Sequence, residues 1–114
     1  MLDKKEAREI AQKYTNKVRE EYAPKQVILF GSYVNGSPDE YSDIDIAVIF
    51  DKTGEDFLDT WTHLVKLRRG ISFDIEPHML DETCNRSGFL EHIRKTGEII
   101  YELSEAAMQE GSIY

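Results

Sequence analysis

Apolar residues recur along this chain with two different periods, and each switch between them predicts where one element ends and another begins. From residue 3 to about 22, Ile10, Tyr14, Val18 and Tyr22 stand four apart and share one face of a helix. Asp3 is its N-cap and Glu6 completes a capping box, with Asp in place of the commoner Ser or Thr, while Pro24 ends it. Residues 25–32, KQVILFGS, form a short β-branched and aromatic run closed by glycine, the pattern of a buried strand. Residues 42–50, SDIDIAVIF, predict a second strand whose faces separate by period two. Ile44, Ile46, Val48 and Phe50 lie on one side, and Asp43, Asp45, Ala47 and Ile49 on the other. Between the strands, Asn35-Gly36 and Ser37-Pro38 predict turns, preceded by a short helical turn beginning at Ser32.

The second half continues the alternation. Residues 55–69 predict a helix with Phe57, Leu58, Trp61, Leu64, Val65 and Leu67 toward the core, stopped by Gly70. ISFDIEPHML, residues 71–80, predicts a third strand interrupted by Pro77. Phe89, Leu90 and Ile93 have helical spacing from about Ser87 to Gly97, and EIIYEL is a short last strand. This order describes an α+β fold: a small mixed β-sheet flanked by helices. The first two strands, joined by about ten residues without a full helix, are expected to be antiparallel neighbours. That brings Gly31-Ser32 close to Asp43 and Asp45. At 114 residues the chain is expected to form one domain, residues 1–103. Residues 104–114 form a tail, flexible or docking on a partner, that carries Glu105 and Glu110 and no basic residue.

Composition narrows the class of protein. With 40% hydrophobic and 32% charged residues the chain reads as an ordinary soluble globular domain. Its one cysteine, Cys84, cannot form an internal disulfide and has no partners at zinc-finger spacing. The charged N-terminus lacks the apolar core of a signal peptide, and no apolar run approaches the roughly 18 residues of a membrane span; a cytoplasmic location is expected. The formal net charge of -8, from 22 acidic and 14 basic residues, disfavours duplex nucleic acid as a partner. Part of that acidic excess reads instead as a cation site.

Asp43 and Asp45 carry that reading. Two residues apart on a strand, they point to the same face. Like charges so close raise each other's pKa, and a shared divalent cation is the simplest way for both to stay ionised. Asp74 adds a carboxylate to that face if the third strand lies beside the second, which would let two metal ions be held; Glu76 shares its face and is the alternative. Gly31 permits close backbone approach to a ligand, and Ser32, at a helix start, offers a hydroxyl and N–H groups to a phosphate. His63, His78 and His92 form no pattern of their own and read as structural.

Gly31-Ser32, ten intervening residues, then Asp43-x-Asp45 resembles the motif of the minimal nucleotidyltransferases, small members of the DNA polymerase beta superfamily. The match is close over residues 31–50 and extends by order and spacing to the strand carrying Asp74. The resemblance implies Mg²⁺ dependence, with two ions, and transfer of a nucleoside monophosphate from a triphosphate, AMP from ATP. It implies that Asp43, Asp45 and Asp74 are metal ligands and catalytic carboxylates, and that Gly31 and Ser32 bind the triphosphate. It also implies a HEPN-domain partner, because such proteins pair as antitoxins with HEPN toxins and adenylylate a tyrosine hydroxyl of them. One departure is Asn35, where many members carry a basic residue before the second glycine of GSxxxG. Two alternatives stand beside this reading. One is transfer to a small molecule such as an aminoglycoside, in a pocket a homodimer would complete; the other is a non-catalytic binding module that has kept the fold.

Overall fold

A computed structural model describes residues 3–36, 38, 42–51, 56–83 and 88–103. The first helix, α1 (Lys4–Glu21), starts at the predicted capping box. The Asp3 carboxylate accepts from the Glu6 N–H at 2.7 Å, and the Glu6 carboxylate accepts in return from the Asp3 N–H. Then follow β1 (Gln26–Phe30), the one-turn α2 (Ser32–Asn35), β2 (Ile44–Phe50), α3 (Phe57–Lys66), β3 (Ile75–Asp81), α4 (Phe89–Thr96) and β4 (Glu98–Glu102). The sheet runs in the order β3-β2-β1-β4. It is mixed, with β1 antiparallel to both β2 and β4, and β2 parallel to β3. The predicted tail, residues 104–114, lies outside the described residues.

The period-two faces read from β2 are the two faces of the molecule. Ile44, Ile46 and Val48 join Val27, Leu29, Ile75 and the α1 residues Ala7, Ala11, Tyr14 and Val18 in the larger cluster. Ala47 and Ile49, with Ile28, pack instead against Leu90 and Ile93 of α4. Asp45 shares this second face, beyond the part that α4 covers. A buried polar contact ties the core to α3: the Tyr14 hydroxyl donates to the Leu64 carbonyl at 2.6 Å. Burial pushes that phenol well above its ordinary pKa, so it remains a donor. Tyr14→Phe is expected to lower stability by about 1–2 kcal/mol, read as a shifted urea midpoint with an unchanged m value.

Two expectations change. Pro77 does not interrupt the third strand: β3 pairs with β2 without a break, including Ile46 opposite Pro77. As an edge strand, β3 can dispense with one N–H. The apolar face of α3 is only half buried. Leu64 is fully covered, whereas Phe57 and Leu58 are 44% and 69% exposed. The start of this helix lies by the edge strand, with no further strand beneath it among the described residues. Phe57 and Trp61 line an open groove of about 270 Å³ with His78, Met79 and Leu80.

At the opposite end of the sheet, Arg94 on α4 grips both carboxylate oxygens of Glu82, its Nη1 at 2.8 Å from Oε1. Its Nε also donates to Gln26 Oε1 at 2.6 Å. Arg94 holds the Glu82 carboxyl below its usual pKa. A carboxylate depressed in this way stabilises the fold above its unfolded value and ceases to as pH falls through the folded one. Arg94→Met is therefore expected to destabilise the protein at pH 7, and part of that difference should vanish as pH falls below the ordinary glutamate range, in melts compared across pH.

Candidate active site

The site forms where β1 ends and β2 begins. Antiparallel pairing sets Phe30 opposite Asp45, so the chain leaving β1 passes directly beside that carboxylate. Gly31 turns it there with φ 84° and ψ -151°, a conformation that side chains resist. A β-carbon at Gly31 would lie 2.3 Å from Asp45 Oδ2, so only glycine leaves room for the carboxylate. Ser32 opens α2 immediately afterwards. The Gly31 carbonyl accepts from the N–H groups of Val34 and Asn35, both at 3.0 Å, and Gly36 closes the turn at φ 82°. The predicted meeting of Gly31-Ser32 with the aspartate strand is thus present at Asp45.

Parallel pairing supplies the rest. Asp45 faces Glu76 across β2 and β3, and Ala47 faces His78. One donor atom each from Asp45, Glu76 and His78 lies within 4.8 Å of the others, and His78 Nε2 is 3.1 Å from Asp45 Oδ1. Among the described residues this is the group with metal-binding spacing. Asp43 and Asp74 are outside it. Asp43 is exposed just before β2, near enough that its charge acts on Glu76. Asp74 is exposed in the turn before β3, where its N–H is bonded to Ser72 Oγ and its carbonyl accepts from the Ile44 N–H. The structure therefore sets Glu76 beside Asp45 and leaves Asp74 one residue short of the strand.

Desolvation pushes the Glu76 carboxyl above its usual range; His78 opposes the rise, and the Asp45 and Asp43 charges and a hydrogen bond with Asp45 add to it. Two carboxylates and an imidazole at this spacing, with the Asp43 charge close by, have the donor chemistry of a divalent-cation site. Sequence reasoning took His78 as structural, and the fold brings it to Asp45. The signal was the period of two in DIEPH, which puts His78 on the Glu76 face. It also missed Phe30, whose ring meets that of His78 edge-on, with centroids 4.9 Å apart.

A four-stranded mixed sheet that carries acidic residues on one face, beside a glycine-serine turn, has the build of a nucleotidyltransferase. Residues 10–106 match the family described as polymerase beta, nucleotidyltransferase, and the chain belongs to that family. Over 61 residues it is 36% identical to a candidate protein adenylyltransferase of Methanocaldococcus jannaschii, covering 54% of this chain and 61% of that protein. The chain thus spans less than two thirds of the length of this relative. Its fold is also that of a candidate nucleotidyltransferase from Sulfolobus solfataricus, with a TM-score of 0.65 at 21% identity, covering 90% of this chain and 86% of that one. It is likewise similar to a structure of a tri-AMPylated Shewanella oneidensis HEPN toxin in complex with its MNT antitoxin. There the TM-score is 0.59 at 20% identity, covering 95% of this chain and 86% of that one. No helix among the described residues is long and apolar enough to cross a membrane.

Proposed function

We propose that this protein transfers AMP from ATP to a hydroxyl group of a protein partner, as the antitoxin of a HEPN-domain toxin. The observation that carries the reading is the close passage of Gly31 beside Asp45, which sets a glycine-serine turn, suited to a phosphate, against the acidic cluster. The similarity to a protein adenylyltransferase and to an antitoxin bound to its AMPylated toxin supports the choice of a protein acceptor.

In this reading Asp43 and Asp45 would hold Mg²⁺, two ions in all, with the third carboxylate from the entry to β3: Glu76 stands beside Asp45, and Asp74 precedes β3 as Asp43 precedes β2. Mg²⁺ bound there would neutralise triphosphate charge and make the acceptor hydroxyl more acidic. Gly31 and Ser32 position the triphosphate at the start of α2. The acceptor oxygen bonds to the α-phosphorus as the bond to the bridging oxygen breaks. Pyrophosphate leaves, and the hydroxyl proton passes to a carboxylate at the entry to β3, Asp74 or Glu76.

The test is incubation of the protein, its partner, Mg²⁺ and ATP labelled at either the α- or the γ-phosphate. Label from the α-position should join the partner and label from the γ-position should not. The reverse pattern, or no transfer from either, would refute the reading.

A further inference from the structure

We propose that His78 is itself a ligand of the divalent ion in this site, and that it gives the site a preference for a first-row transition ion such as Mn²⁺ over Mg²⁺. The proposal rests on the nucleotidyltransferase reading for the presence of an ion and goes beyond it in naming a nitrogen donor.

The geometry comes first. Donors about 2.1 Å from an octahedral ion stand about 3 Å apart on adjacent corners and about 4.2 Å apart on opposite ones. His78 Nε2 and Asp45 Oδ1 are 3.1 Å apart, and Glu76 lies within 4.8 Å of both, so small side-chain adjustments place all three around one ion. The imidazole is also held in place. Its ring packs edge-on against Phe30, which packs edge-on against Phe89 at a centroid distance of 5.8 Å. Pairing of His78 with Ala47 fixes the backbone beneath it. A ring braced by apolar contacts loses little freedom on binding an ion.

The donor chemistry then sets the preference. Mg²⁺ favours oxygen and keeps several waters, whereas imidazole suits the transition ions. A site with oxygen ligands alone would show a weaker bias, since carboxylates take both ions. Were His78 only a hydrogen-bond partner orienting Asp45, it would lend affinity to both ions alike.

Pulsed electron paramagnetic resonance of the protein loaded with Mn²⁺ alone separates these cases. The wild-type spectrum should show nitrogen hyperfine coupling, and H78N should lose it while still binding Mn²⁺. In competition titrations, H78N should need at least about tenfold less Mg²⁺ to displace half of the Mn²⁺. Wild-type protein that binds Mn²⁺ without nitrogen coupling overturns the proposal, as does an unchanged Mg²⁺ requirement in folded H78N. The wild-type spectrum is decisive even if the variant does not fold. If coupling is absent but α-phosphate label still reaches the partner, His78 ligation fails and the transferase reading stands. If coupling is present and no label is transferred, the reverse holds.

Discussion

Asp45→Asn is expected to lower nucleotidyl transfer by about 10³-fold or more while leaving the fold intact. Asp45 is where the parts of the site meet: Gly31 passes against one carboxylate oxygen, His78 bonds to the other, and Glu76 stands across the strand. Asparagine has nearly the same shape, so β2 keeps its pairing with β1 and β3. What disappears is one negative charge. Loss of charge stabilisation worth several kcal/mol in a transfer step corresponds to a rate loss of about 10³. The same change removes an interaction that raises the Glu76 pKa, so the melting temperature without divalent cations should hold or rise slightly. Single-turnover transfer assays and thermal melts on the same preparation check both halves.

Gly31→Ala should harm both stability and activity, for separate reasons. The backbone at φ 84° and ψ -151° is close to glycine-only territory, and forcing an L side chain into it costs about 1–3 kcal/mol. The added methyl would also lie 2.3 Å from Asp45 Oδ2, so the carboxylate must move. A displacement of about 1 Å at a reacting centre can reduce turnover by about 10². Gly36→Ala is the control. Gly36 has a similar positive φ of 82°, but an added β-carbon meets nothing within 4 Å. It should lose about 1–2 kcal/mol of stability and keep transfer near the wild-type rate. Equal losses of transfer in the two variants would mean that contact with Asp45 is not what matters at Gly31.

Much of this site was legible in the pattern of the chain because strands have a period of two. SDIDIAVIF separates into an apolar face and a carboxylate face without any knowledge of its neighbours, and the ten residues after Ser32 are too few for a crossover helix. The antiparallel return that brings Gly31 to Asp45 follows from those two facts. The third carboxylate was less legible, because Asp74 and Glu76 share the same parity. Only the start of β3 at Ile75 and its register against β2 place Glu76, not Asp74, opposite Asp45. His78 was hidden for a related reason. It follows Pro77, read as a break in the strand, and an unbroken edge strand carries the face two residues further. The exposure of Phe57 and Leu58 on α3 was not readable from helical period, which marks an apolar face but not how far the sheet beneath it extends.

The direct test of the proposed AMP transfer is intact-mass measurement of a candidate HEPN-domain partner purified after co-expression with this chain. With wild-type protein the partner's mass should rise by a whole number of AMP residues, and with Asp45→Asn it should not rise at all. A partner left unmodified by the wild-type chain, or modified equally by both, would contradict the proposed activity.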